Sequence, residues 1–150
     1  MKRRVIVAAL LAVLILLPAK VRADGINIVG HYANADGTSL DIATFSEKGE
    51  TVGILGIAHK VSITFSPNEW PSFVAIWKKA EGIQSNSFQF VGTYKETGTT
   101  YNSLLTVAAG PGVQLTINDQ PGTYVFVLPP GDYAKFDADV ATVAAILGSK

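Results

Sequence analysis

INIVGHY at residues 26–32 is written a second time, with small changes, as FQFVGTY at residues 88–94. Val29, Gly30 and Tyr32 recur as Val91, Gly92 and Tyr94, and Ile26, Asn27 and Ile28 are answered by the similar Phe88, Gln89 and Phe90. The offset is 62 residues. Further along, Ser66-Pro67-Asn68-Glu69-Trp70 is matched by Pro129-Pro130-Gly131-Asp132-Tyr133, and Phe73 by Phe136, at an offset of 63. Two matches in the same order at almost the same spacing read as a tandem duplication, with about one residue inserted in a turn.

The segments between the echoes carry the period of a half-covered strand, apolar and polar residues alternating. In the first copy Ile26, Ile28 and Tyr32 share a parity, with His31 on the opposite one. Leu40 and Ile42 follow, then Val52 and Ile54, then Val61, Ile63 and Phe65. Ala35-Asp36-Gly37 and Glu47-Lys48-Gly49 supply turn chemistry, glycine accepting the positive φ that such turns need. The second copy runs through Phe88, Phe90 and Tyr94, an apolar stretch from Asn102 to Ala108, then Val113, Leu115 and Ile117, then Tyr124, Phe126 and Leu128. Its turns are Gly110-Pro111-Gly112 and Gln120-Pro121-Gly122.

Each copy then changes to helical spacing. Ser66 offers a cap, Pro67 a first helical residue and Glu69 a carboxylate that can reach back to a free N–H, while Phe65 and Trp70 stand where a hydrophobic staple forms. Trp70, Phe73, Trp77 and Ala80 make the apolar stripe, Lys78 and Lys79 suit a helix C-terminus, and Gly82 closes it. Pro71 interferes with the first turn, so the regular helix is expected to begin close to it. The second helix has the stripe Phe136, Val140, Val143, Ala144 and Leu147 and ends at Gly148. The expected fold is therefore α+β: two pseudo-repeats of ββββα, antiparallel sheets with two helices, packed as an intramolecular pseudo-dimer. One four-stranded sheet with one helix leaves apolar surface uncovered, and pairing about a pseudo-twofold axis buries it. Trp70, Phe73, Trp77, Tyr133 and Phe136 are expected in that shared core.

Four strands then a helix, twice over and packed as an internal dimer, resembles the topology of the PUR-repeat proteins and the related Whirly single-stranded-DNA binders. The resemblance spans residues 24–150 at the level of element order. It implies that basic and aromatic side chains on the sheets hold a nucleic-acid strand, and Tyr32, Tyr94 and Tyr101 are the aromatics that could stack bases. Cross-strand packing accounts for the same three tyrosines.

The first residues bound the compartment. Met1–Arg4 is basic, Val5–Leu17 is an unbroken apolar run of 13 residues, and Val21-Arg22-Ala23 places small residues where a signal peptidase reads. Residues 1–23 are expected to be a secretory signal peptide, and 24–150 a single mature domain of two repeats, 24–84 and 85–150. The run is short of the roughly 20 residues that cross a bilayer, so no transmembrane segment is expected in the mature chain. Export points to a periplasmic or secreted protein. With no cysteine anywhere, such a protein holds together by its core alone.

Removing the signal changes the charge. The whole chain balances 12 basic against 12 acidic side chains, but from Asp24 onward seven lysines face all 12 acids, a net charge of minus five without one arginine. Arginine grips phosphate bidentately and stacks on bases, and nucleic-acid affinity is largely charge neutralisation, so the mature chain is a poor fit to nucleic acid.

No chemical motif stands out. His31 and His59 are two histidines without cysteine or a third ligand at metal spacing, read as solvated strand residues, so neither metal nor cofactor is expected. No serine sits in a nucleophile elbow. Asp36, Asp41, Glu47 and Glu50 could supply an acid–base pair only if two of them were buried together. Ala108-Ala109-Gly110-Pro111-Gly112 opens into a strand and so reads as a hairpin turn, not a phosphate cradle. Asp137 and Asp139 in the second helix replace Val74 and Ile76 of the first, while Lys78 and Lys79 become Ala141 and Thr142; helix-dipole complementarity accounts for this. The expected function is a non-enzymatic exported binding protein with a protein partner: an inhibitor, an immunity-type factor or a surface antigen. It is expected to be a monomer with an internal pseudo-twofold rather than an obligate oligomer. The alternatives are single-strand nucleic-acid binding and an enzyme of unfamiliar type, which would show a deep pocket lined by ionisable groups.

Overall fold

The computed structural model describes residues 25–97, 103–120 and 122–148; the expected signal peptide, Tyr101, Asn102 and Pro121 lie outside these. The first repeat forms β1 (Ile26–Ala33), β2 (Ser39–Glu47), β3 (Glu50–Ile57), β4 (Val61–Phe65) and α1 (Trp70–Glu81). The second forms β5 (Gln89–Lys95), β6 (Leu104–Ala109), β7 (Val113–Asp119), β8 (Gly122–Leu128), a 3-10 turn (Pro130–Asp132) and α2 (Tyr133–Gly148). Each set of four strands is one antiparallel meander, ordered β1-β2-β3-β4 and β5-β6-β7-β8. The fold is α+β with the ββββα pattern twice.

The echoed Val-Gly-x-Tyr is a β-bulge. Register slips between Ile28 and Gly30 in β1 and at the equivalent place, between Phe90 and Gly92, in β5. One extra residue turns both Val29 and Gly30 toward the same side and reverses the faces of everything before it. Ile28 therefore stands opposite Ala43 while Tyr32 stands opposite Leu40, on the other face. The shared parity expected for Ile26, Ile28 and Tyr32 is broken for this reason, and His31 shares the face of Ile28. In β3 the residues turned inward are Gly53, Leu55 and Ile57, opposite Thr44, Ile42 and Leu40; Val52 and Ile54 face out.

The helices are exchanged. α1, which follows the first sheet, packs on β5 and β6 of the second; α2, which follows the second sheet, packs on β1, β2 and β3 of the first. The bulge glycines mark both crossings. A Cβ on Gly30 would run into the Asp139 carboxylate, and one on Gly92 would come within 3.2 Å of Ile76 Cγ1. Ile76 and Asp139 are equivalent positions at the offset of 63, so each glycine admits the same helix position from the other repeat. Other contacts obey this symmetry. Trp70 Nε1 donates to the Val140 carbonyl at 3.3 Å, and the equivalent pair, Tyr133 with Trp77, meets edge-on with ring centroids 5.5 Å apart. Phe73 and Phe136, equivalents of one another, lie 6.5 Å apart at the pseudo-axis. Trp70, Phe73, Trp77 and Phe136 are fully buried in one cluster fed by both sheets, and Tyr133 packs half-buried against it. Neither repeat has an interior without the other's helix.

The insertion is not one residue in one turn. Equivalent outward-facing positions are offset by 62 at Ile28 and Phe90, 65 at Ala43 and Ala108, 60 at Ile54 and Gln114, and 63 at Thr64 and Val127. All three hairpins differ in length, and the differences nearly cancel. In particular β2 and β3 extend beyond β6 and β7 to a tight turn at Lys48 and Gly49, both at positive φ.

α1 begins at Trp70 with Pro71 in its first turn, where no intrahelical N–H is due. Ser66 and Pro67 belong to the preceding turn, in which the Ser66 N–H donates to Glu69 Oε2 at 2.7 Å and the Trp70 N–H to the Ser66 carbonyl at 3.0 Å. The staple forms as expected, Phe65 edge-on to Trp70 at 5.3 Å. In α2 the buried stripe is Phe136, Val140, Val143 and Leu147; Ala144 is exposed, lying off that stripe on the solvent side.

Candidate functional site on the outer face of the first sheet

With both helices on the inner side, each sheet has an outer face that the fold itself does not use, and the two are unlike. In the first sheet the outward residues are Ile26 opposite Phe45 opposite Val52, Ile28 opposite Ala43 opposite Ile54, and His31 opposite Asp41 opposite Gly56. Ile26, Ala43, Phe45, Val52 and Ile54 form a second apolar cluster, separate from the main core, with Ile28 packed against it. It is closed to water: Ala43 and Ile54 are each 1% exposed. In the second sheet the equivalents of Ile28, Ala43 and Ile54 are Phe90, Ala108 and Gln114, and those of His31, Asp41 and Gly56 are Thr93, Thr106 and Thr116. That face is open, with Phe90 69% exposed and Val125 41%.

At one end of the apolar floor stands a polar trio. Asp41, on β2, is turned outward and its side chain is 7% exposed, against 53% for His31 and 40% for His59. Each carboxylate oxygen faces a different imidazole: Oδ1 lies 2.6 Å from His31 Nδ1 and Oδ2 lies 3.1 Å from His59 Nδ1. The rings are within 8° of parallel, centroids 6.3 Å apart. His31 comes from the strand facing Asp41. His59 comes from the β3–β4 turn, where Ala58 and His59 both take left-handed φ, near +55°, which aims its ring back over the sheet. His59 is thus a turn residue and β4 begins at Val61, and the two histidines are not separately solvated but share one buried carboxylate. With both Nδ1 atoms turned to Asp41, the trio is a hydrogen-bonding group; among the described residues no set of three or more His, Cys, Asp or Glu is arranged to hold a metal ion.

The other sequence candidates are dispersed. Asp36 is exposed in the β1–β2 turn, its carboxylate accepting from Thr38 N–H at 2.9 Å and held below its usual range by Thr38. Glu47 and Glu50 are exposed neighbours at the β2–β3 turn, so Asp41 is the only buried member of the four. Tyr32 and Tyr94 are buried inward and have no face for a base. The Tyr32 hydroxyl donates to Asp139, that of Tyr94 to the Thr64 carbonyl at 3.3 Å, and burial first, then a neighbouring carboxylate, pushes both well above the ordinary phenol value. Asp137 and Asp139 lie beyond the first turn of α2, which carries no acid, so dipole complementarity does not account for them; Asp137 instead accepts from Lys78 Nζ at 2.5 Å and from Trp77 Nε1 at 3.1 Å, tying the basic end of α1 to it across the pseudo-axis. Those two hydrogen bonds hold the Asp137 carboxyl below its usual range.

A cleft of about 750 Å³ between the end of α1 and the start of α2 is lined by Glu81, Gln84, Ser85, Asn86 and Tyr133. Its carboxylate is engaged by Lys78 at 3.0 Å, and burial raises the Tyr133 hydroxyl. No described helix is long and apolar enough to cross a membrane. The chain matches no protein-family model and no curated protein sequence.

Two features escape a reading by period alone. Phe88 and Phe90 share apparent parity with Tyr94 yet are exposed, because the bulge lies between. The His31–Asp41 pair was available from the sequence, since folding the chain about Asp36 sets residue 31 opposite residue 41.

Proposed function

We propose that this chain is an exported, non-enzymatic binding protein that meets a protein partner through the outer face of its first sheet. One observation carries this reading. Every requirement of the fold is met on the inner faces, yet the first sheet bears a second contiguous apolar cluster on the other side, bordered by a His–Asp–His trio, where the equivalent face of the second sheet is threonine-rich. A contiguous set of apolar side chains beyond what the main core needs, edged by polar groups, has the composition of the centre and rim of an interface.

The test is capture by chains beginning at Asp24 from envelope or host extracts. The unaltered chain retains a partner, Ile54→Lys loses it, and Thr116→Lys, at the matching place on the second sheet, keeps it. Failure to retain any macromolecule, or equal retention by both variants, contradicts the reading.

A second reading has its own observation. Exposed Phe88 and Phe90 beside the Thr93–Thr106–Thr116 row and Lys95 offer an aromatic, hydroxyl-rich face to a single nucleic-acid strand. Titration with a labelled oligonucleotide at low salt decides it, and no binding below about 100 µM, the weak limit of non-specific affinity, ends it.

A further inference from the structure

The two helices are unequal, and the cleft opens where the shorter one stops. α2 runs for 16 residues from Tyr133, whereas α1, starting at the equivalent Trp70, ends after 12 at Glu81. Where α2 continues to the buried Leu147, the first repeat has Gln84 at the offset of 63 and has already left the helix on its way to β5. About one helical turn is missing from the first copy. A cleft of about 750 Å³ lies at that point, within the range of roughly 300–1,000 Å³ that small-molecule sites occupy.

The pseudo-twofold shows what is unusual about Tyr133 in its wall. The equivalent Trp70 commits its polar atom across the axis, Nε1 donating to the Val140 carbonyl at 3.3 Å. The Tyr133 hydroxyl is shut off from bulk water and has no hydrogen-bond partner among the described residues. A buried O–H without an acceptor costs free energy, and burial holds the proton on this oxygen, so it stays a donor. The side chain is only half-buried, and a small turn of its ring brings the O–H to an acceptor lodged in the cleft.

We propose that this cleft binds a neutral saccharide, with Tyr133, Ser85, Gln84 and Asn86 as the groups that hold it. The hydrogen-bonding inventory selects the class. Ser85 Oγ accepts from Gln89 Nε2 at 3.2 Å and from the Ser87 N–H at 3.4 Å, which leaves its own proton to donate. Two O–H donors call for acceptors on the ligand. Gln84 and Asn86 each present a carbonyl oxygen beside an amino group, and Glu81 presents a carboxylate, so donors are called for as well. Charge removes the rivals. None of the described lining residues is cationic, and Lys78, beside Glu81, is divided between Glu81 at 3.0 Å and Asp137 at 2.5 Å, so an anion gains little here. A cation would leave both O–H donors unused. Hydroxyls that donate and accept, no net charge and C–H faces to lie against Ile83 and Pro130 are together the properties of a sugar ring. The site shares no residue with the outer face of the first sheet, so it stands or falls apart from partner capture.

Heteronuclear NMR of the full chain, titrated with N,N′-diacetylchitobiose and separately with cellobiose, tests this. Amide shifts at Ser85, Asn86 and Tyr133 that saturate in the roughly millimolar range are expected of a small ligand with few anchors, with Thr116 on the second sheet unmoved. Tyr133→Phe is expected to weaken binding by about fivefold or more, the worth of one hydrogen bond, and to melt no lower than the unaltered chain, because it removes a hydroxyl that the fold does not use. Asn86→Ala, in the exposed connection to β5, is expected to weaken binding by about threefold with melting unchanged. No shift at these residues with either sugar up to roughly 50 mM, or equal affinity in Tyr133→Phe, overturns the proposal. A lowered melting temperature in Tyr133→Phe overturns it too, because the hydroxyl would then serve the fold. Tri-alanine is the third probe, and shifts with it but with neither sugar place a peptide main chain in the cleft and overturn the saccharide.

Discussion

The outer faces of the two sheets occupy equivalent places in one duplicated fold and, Ala43 and Ala108 apart, differ in character. Inward, the repeats agree: Gly30 and Gly92 admit a helix, Tyr32 and Tyr94 are buried two residues beyond them, and Phe73 and Phe136 meet at the pseudo-axis. Outward, Ile54 answers to Gln114, His31 to Thr93 and Asp41 to Thr106. Exchanged helices demand complementary interiors from both copies, so the interior constrains the repeats to be alike. The outer faces carry no such demand, and the difference between them is where function has room to reside.

The interior half of that comparison is tested by the largest effect. Phe73→Ala and Phe136→Ala remove equivalent, fully buried rings, and each is expected to lower unfolding stability by about 3–5 kcal/mol in urea titrations. Similar losses in a single transition support equivalence; a large loss from one and almost none from the other breaks it. The outer half is sharpened by Ile54→Ala against Gln114→Ala. In the full chain the first is expected to cost about 2–4 kcal/mol and the second no more than about 0.5, because one leaves a cavity and the other trims a half-exposed side chain. Equal thermal shifts would mean that the faces do not differ in burial.

Smaller effects are expected where the helices cross. Gly30→Ala must displace both Asp139 and Ile42, whose Cγ2 would lie 2.9 Å from the new Cβ; at Gly92 the neighbour is Ile76 at 3.2 Å. Overpacking of about 1–3 kcal/mol is expected, greater at Gly30, and calorimetry checks the order. The smallest effect concerns acid. Burial works against the Glu69 carboxylate, but hydrogen bonds from Thr97 and Ser66 hold it below the ordinary value of about 4.5. A carboxyl depressed by folding contributes stability that is present above its unfolded value and lost as pH falls through the lower folded one. Glu69→Gln is therefore expected to flatten the stability profile below about pH 4.5 while leaving its shape near pH 7 unchanged, as read by pH-dependent melting.

Much of this architecture is legible in the sequence, and the failures have specific causes. The duplication, four strands then a helix in each copy, the staple at Phe65 and Trp70 and the aromatic core all follow from pattern and repeat. The faces of Ile26, Ile28 and Phe90 do not, because a single bulged valine reverses parity and period-two reading assumes an unbroken ladder. Helix exchange is equally hidden: amphipathic stripes state that a helix packs, not against which sheet. The His31–Asp41–His59 trio depends half on hairpin register, which turn chemistry supplies, and half on the left-handed backbone at Ala58 and His59, which no glycine or asparagine announces.

The exchanged interior is tested most directly by residues 25–84 expressed alone and followed by near-ultraviolet circular dichroism and analytical ultracentrifugation. Because α1 belongs on the other repeat's sheet, the fragment is expected to lack a fixed aromatic environment as a monomer, gaining one only if two copies trade helices. A monomeric fragment with a native-like signal from Trp70 and Trp77 would contradict the account.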